Sequence, residues 1–284
     1  MKLFTLLAIA CFFQTVDALH LNPQKVTIYR EKFKDVLLII NFNHPHYDNI
    51  PFLKELYGKF FSKIIFYGEK DHPQINSFKI DKGFLLGPII HDALTKYPNY
   101  KGYIFLQDDC VLNIWNYLSL DLDKLWLPQA TLTPLNWKFM WYQWANMVDA
   151  HNPSAWLFWT APWGYKAMKE GWLQLLPHDR ENLDKNAGTN NTPGAQCDMF
   201  YIPHQFRQDA IRLNEYFKNA LCEYAVPTIM SCLDLQVNWE NTTLYWDYHL
   251  ETQWPLAATV VHPVKFSNHK FRIKTEEIFN AFFA

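Results

Sequence analysis

Val36 to Phe42 (VLLIINF) is an almost unbroken apolar run of strand length. A strand without polar alternation has both faces buried, as strands do inside parallel sheets covered by helices on both sides. The residues that follow keep that logic. Asn43 to Asn49 (NHPHYDN) is turn-forming, and Ile50 to Phe61 sets Phe52, Leu53, Leu56 and Phe60 at helical spacing, with Pro51 suited to a first turn. Lys63 to Tyr67 (KIIFY) reads as a second strand. Pro88 to Tyr97 reads as a helix begun by Gly87-Pro88, and Gly102 to Leu106 (GYIFL) as a third buried strand. This order predicts an α/β fold, with a parallel sheet and right-handed crossovers.

The second half is less regular. Nine of the twelve tryptophans fall between Trp115 and Trp172, most of them expected in the core because large aromatics supply burial area. Arg180 to Gln196 is polar and turn-rich and is expected to be a mobile surface loop. Gln205 to Leu221 places Phe206, Ala210, Leu213, Phe217 and Leu221 on one helical face. No repeat or linker divides the chain, so one domain is expected over 19–284.

Charge excludes several classes. With 26 Lys+Arg against 28 Asp+Glu in 284 residues, there is no basic footprint for nucleic acid. The glycine-rich dinucleotide and P-loop fingerprints, G-x-S-x-G and H-E-x-x-H are all missing. Lys2 precedes an apolar run of roughly 11 residues, Leu3 to Phe13, against the ~20 that span a bilayer. With Val16-Asp17-Ala18 behind it, this reads as a signal peptide over 1–18, directing the chain to the secretory lumen (Golgi or ER) or outside the cell. No later stretch is apolar enough for a stable transmembrane span. Cys110, Cys197, Cys222 and Cys232 then lie in an oxidising compartment, where disulfides are expected in one of three possible pairings. Sequons at Asn190 and Asn241 are candidate glycosylation sites.

The chemistry concentrates after the third strand, where Gly102 to Gln107 runs straight into Asp108-Asp109. Ligands of open α/β sheets bind outside the carboxyl ends of strands. Two carboxylates there suit a hard divalent cation, which a diphosphate needs because its own oxygens repel carboxylates. Such a pair also commonly begins a turn or caps a helix. His44-Pro45-His46 has no third ligand nearby and reads as a satisfied loop.

Phe105-Leu-Gln-Asp-Asp-Cys-Val-Leu-Asn-Ile-Trp-Asn116 with Asp123-Lys-Leu-Trp126 resembles the signature block of the STELLO family of glycosyltransferases. Met199-Phe-Tyr-Ile-Pro203, Ala225-Val-Pro227, and Val261-His-Pro263 with Ser267-Asn268 agree in order, so the resemblance runs from about Gly102 to Ile278. It implies a single GT-A-like, Rossmann-like nucleotide-diphospho-sugar transferase domain, an α/β fold with a mixed, mainly parallel sheet flanked by helices, in the secretory pathway. Its donor would be a nucleotide sugar and its acceptor a glycan or glycoprotein. Plant members are longer and membrane-anchored, whereas this chain is short.

Carried over, Asp108 and Asp109 fall on the acidic motif as donor-binding residues and metal ligands, with Asn113 beside them on the donor. His262 falls on the His-Pro block as a metal ligand for Mn2+ or Mg2+. Asp198 is a catalytic candidate as acceptor-orienting group or general base, with Glu223 and then Asp234 weaker ones. Trp159 or Trp163 could border an acceptor site. The alternatives are a non-catalytic lumenal or secreted relative that binds glycans or proteins on the same scaffold, and a metal-dependent hydrolase.

Overall fold

The computed structural model describes residues 19–132, 145–148, 157–247, 250 and 253–284. The expected leader lies outside the described residues, as do Trp137, Trp141, Trp144 and Trp156. The elements in chain order are α1 (Pro23–Phe33), β1 (Val36–Asn41), α2 (Ile50–Tyr57), β2 (Lys63–Gly68), β3 (Asn76–Ser77), α3 (Gly87–Lys96), β4 (Gly102–Gln107), β5 (Val111–Leu112), β6 (Trp126–Leu132), β7 (Ala145–Asn146), α4 (Tyr165–Trp172), α5 (Pro177–Ala187), β8 (Asn191–Thr192), β9 (Met199–Pro203), α6 (Arg207–Phe217), α7 (Cys222–Leu233), β10 (Glu240–Trp246), β11 (Val260–His262) and α8 (His269–Phe283).

Among the described residues, nine strands form one sheet in the order β3-β2-β1-β4-β9-β6-β10-β11-β5. The pairs β1–β2, β1–β4, β2–β3, β6–β10 and β10–β11 are parallel, while β9 runs antiparallel to β4 and β6, and β5 antiparallel to β11. The strands and helices read from the first half stand within a few residues of the expected positions.

The apolar run of β1 explains the layering. Val36, Leu38 and Ile40 face one core with Phe33 of α1, Leu53 and Leu56 of α2, and Phe279 and Phe283 of α8. Leu37 and Ile39 face a second core with Ile89 and Leu94 of α3, Ala210 of α6 and Met230 of α7. Both sides being dry, the strand needs no polar alternation. A third cluster joins α4, α5, α6 and α7 around Trp159 and Trp172. At the junction of β4 and β9, Phe105 and Phe200 stack at 4.7 Å, and Gly102 is required because a Cβ there would collide with the Tyr201 ring.

One expectation fails. The first half of the polar stretch expected to be a mobile loop, Arg180 to Ala187, is helix α5. Its stability comes from polar contacts that hydropathy does not register. Pro177 opens the helix, and the Asp179 carboxylate accepts the Leu176 N–H at 3.0 Å and both guanidinium nitrogens of Arg212 at 2.7 and 2.8 Å. The Arg180 guanidinium carbon sits over Trp172, 3.4 Å from the ring centre. Leu183 and Ala187 alone supply its apolar face.

Candidate active site

The chain enters the sheet at β1, passes through α2 to β2 on one side, then through α3 to β4 on the other side of β1. The direction of winding reverses between β1 and β4, and the crevice at their carboxyl ends is where such sheets bind ligands. Asn41, Asn43, Gln107, Asp108 and Asp109 stand there. Asp108 N–H donates to the Asn41 carbonyl at 2.8 Å, Asn41 Nδ2 donates to Gln107 Oε1 at 2.8 Å, and Asn43 N–H donates to Asp108 Oδ1 at 3.1 Å.

β5 brings the distant partner of this crevice. It turns back antiparallel to β11, with Val111 opposite Val261 and Leu112 opposite Val260, so β11 delivers His262 beside Asp109. Val264 N–H donates to the Asp109 carbonyl at 2.6 Å and fixes the chain after the cis His262–Pro263 peptide. His262 Nε2 lies 3.5 Å from Asp109 Oδ1 and Nδ1 lies 3.9 Å from Asp198 Oδ2. Asp198 is placed by its own backbone, whose carbonyl accepts the Gln107 N–H at 2.9 Å. Lys265 forms a close ion pair with Asp109 Oδ2.

Charge in this cluster is unevenly held. Burial works to raise the Asp109 carboxyl, but the adjacent His262 imidazole and Lys265 ammonium outweigh it and hold the group well below the usual range. Burial and the neighbouring Asp109 push Asp108 up to about 8. Burial and Asp109 raise Asp198 too, against the pull of His262. Burial would lower His262, yet Asp198 and Asp109 together raise it. Cys110, buried beside these carboxylates, is pushed well above its ordinary value and stays a neutral thiol.

The donor chemistry fits a hard or borderline divalent cation. Asp109 Oδ1 and His262 Nδ1 are buried with no hydrogen-bond partner among the described residues. A buried carboxylate oxygen left unpaired beside an imidazole is costly unless something else satisfies it. Asp109, Cys110 and His262 bring their ligand atoms within 4.8 Å of one another.

The expected residues are therefore brought together in part. Asp109, Asp108, His262 and Asp198 converge. Asn113 does not. It is fully buried, donates to the Pro255 and Ala258 carbonyls at 2.9 and 2.8 Å, and accepts the Trp254 indole N–H at 3.0 Å. Its amide ties the chain around residue 258 to β5. Glu223 sits at the start of α7 against Cys222 rather than on His262. Asp234 ends the same helix, where its carboxylate accepts from Leu235 N–H and Asn238. Trp159 is buried against Tyr165 and Tyr224, and half-buried Trp163 stacks on Phe84. His44 and His46 are exposed, with ring centres 6.0 Å apart.

Two site residues escaped the sequence reading. Lys265 follows the His-Pro block by two residues and carries no motif of its own. Cys110 was read only as a possible disulfide partner, and it is a free thiol, as are Cys197, Cys222 and Cys232.

Comparison with known proteins gives the same direction. The chain is 25% identical over 258 residues to the protein named "Probable glycosyltransferase STELLO2" of Arabidopsis thaliana, and 23% identical over 260 residues to "Probable glycosyltransferase STELLO1" of the same plant. Each match covers 87% of this chain. The chain is a relative of the STELLO proteins. It spans about a third of the length of these curated relatives, 32% of each. No family model matches the chain.

Proposed function

We propose that the chain is a metal-dependent glycosyltransferase of the secretory pathway, moving a sugar from a nucleotide-diphosphate donor to a glycan or glycoprotein acceptor. The observation that carries this reading is the buried Asp109 Oδ1, which accepts no hydrogen bond among the described residues and faces His262 Nε2 at the point where the sheet changes its direction of winding. The relation to the two STELLO proteins, both named as probable glycosyltransferases, supports the reaction class.

Asp109 and His262 would hold Mn2+ or Mg2+, which when bound neutralises the charge that gathers on a departing diphosphate. The chain's own groups prepare that site. Asp198, facing Nδ1, favours a proton there and leaves Nε2 as the ligating nitrogen, the usual service of a carboxylate behind a metal-binding histidine. Asp198 on this account positions His262. Asp108 holds the Asn43 N–H and so shapes the β1 side of the crevice. Lys265, its side chain about half exposed, pairs its ammonium with Asp109 Oδ2 and would add positive charge where an anionic diphosphate arrives.

Calorimetric titration of the whole chain with UDP and GDP, first with Mn2+ and then with EDTA, tests the reading. Binding that needs the metal and is lost in Asp109→Asn is expected. Absence of nucleotide binding under every condition would favour the non-catalytic lumenal relative. The secretory address has its own check. Asn241 is exposed at the start of β10, and Asn190 is half-buried in a left-handed turn. Chain made in a eukaryotic secretory host is expected to carry a glycan at Asn241 that Asn241→Gln removes.

A further inference from the structure

A second cluster lies next to the first and is chemically unlike it. Cys197 immediately precedes Asp198 and β9, and Cys222 is the first residue of α7. Their sulfurs and a Glu223 carboxylate oxygen all lie within 4.8 Å of one another, and both thiols are buried. Cys222 Sγ donates to Glu223 Oε2 at 2.9 Å.

The backbone already holds the two segments together. Pro227 sits inside α7 and has no N–H to give the carbonyl four residues back, on Glu223. Ala195 N–H takes that carbonyl instead, at 2.8 Å. The proline thus opens a docking point for the segment leading into β9, and docking there sets Cys197 beside Cys222. Cys222 N–H is anchored in turn to the Phe84 carbonyl at 2.8 Å.

We propose that Cys197 and Cys222 form a disulfide that clamps the lead-in of β9 to the first turn of α7. Chemistry favours this over a soft metal ion. A metal here would gather two thiolates and a carboxylate in the interior, with no fourth ligand among the described residues, whereas a disulfide carries no charge and removes two buried polar hydrogens. The oxidant is a disulfide, either of a protein oxidoreductase or of glutathione. Cys222 thiolate attacks it to give a mixed disulfide and expels one thiolate. Cys197 thiolate then attacks the Cys222 sulfur and expels the second. One S–S bond forms in the chain and one is lost in the oxidant, which takes up two electrons and two protons and becomes two thiols. Because both sulfurs are buried once α7 has docked, the exchange precedes final closure. The clamp lies one residue from Asp198, so it also sets the carboxylate that faces His262. The inference rests on the thiol geometry and stands apart from the sugar-transfer reading.

The test is disulfide mapping of the whole chain, refolded from denaturant in a glutathione redox buffer, alkylated under denaturing conditions and digested. The expected result is a Cys197–Cys222 linked peptide, with Cys110 and Cys232 alkylated. The linked peptide is expected to persist in Cys232→Ser and to vanish in Cys197→Ser. A reducing agent is expected to lower the Tm of the wild-type chain by several degrees and to leave Cys197→Ser unmoved. Alkylation of both Cys197 and Cys222, linkage of either to another cysteine, or stoichiometric zinc that Cys197→Ser loses would overturn the proposal.

Discussion

Two side-chain clusters sit within a residue of each other and do opposite things with charge. Around Asp109, opposite charges meet at close range, yet the buried Asp109 Oδ1 accepts no hydrogen bond among the described residues. Around Cys222, the groups are thiols that burial keeps protonated, and the Glu223 side chain accepts a hydrogen bond from the Cys222 thiol. On the proposed reading the first arrangement is completed by a cation, and the second by losing protons. β9 serves both, through Asp198 for one and Cys197 for the other, so the two can be separated experimentally by where a change acts.

The largest effect is expected from breaking both together. Phe200→Ala removes the ring stacked on Phe105 where β9 joins β4, and should cost about 3–5 kcal/mol in denaturant unfolding while weakening both clusters. Asp109→Asn should touch the first cluster alone. We expect about a 100-fold loss of metal-dependent nucleotide affinity, equivalent to about 2.7 kcal/mol, with the thiol mapping unchanged.

The second cluster has its own pH signature. Burial raises Glu223 to about 7, so the folded chain keeps a proton there that the unfolded chain releases near pH ~4. Stability should therefore fall as pH rises from about 4 to about 7, by on the order of 3 kcal/mol at most, with Cys222, Cys197 and Asp198 as the facing groups. In reduced chain, Glu223→Gln should flatten that slope, as urea unfolding across the range would show. The mildest change is Asp198→Asn, which keeps the shape of the side chain and removes its charge from His262. About a tenfold loss of Mn2+ affinity is expected, with the Cys197–Cys222 linkage intact.

The sequence displays some of this and hides the rest for physical reasons. β1, β2, β4, α2 and α3 were readable because double-sided burial makes each strand a continuous apolar run and each helix a one-faced pattern. Asp108-Asp109 was readable because a buried strand ends on them. α5 was hidden because an ion pair and a guanidinium over an indole ring, rather than apolar spacing, hold it in place. Asn113 stands apart from the acidic pair because proximity in sequence says nothing about which way β5 turns. The nearness of Cys197 to Cys222 depends on Ala195 taking the carbonyl that Pro227 leaves open, a long-range pairing that no spacing encodes.

The central claim is that Asp109 and His262 together hold a divalent cation. Pulsed electron paramagnetic resonance of Mn2+ added to the whole chain tests it directly, because a ligating imidazole couples its nitrogen to the manganese spin. The account predicts a nitrogen coupling in the wild-type chain that His262→Gln abolishes, together with loss of bound Mn2+ in Asp109→Asn. Tightly bound Mn2+ with no nitrogen coupling, or a coupling that survives His262→Gln, would contradict it.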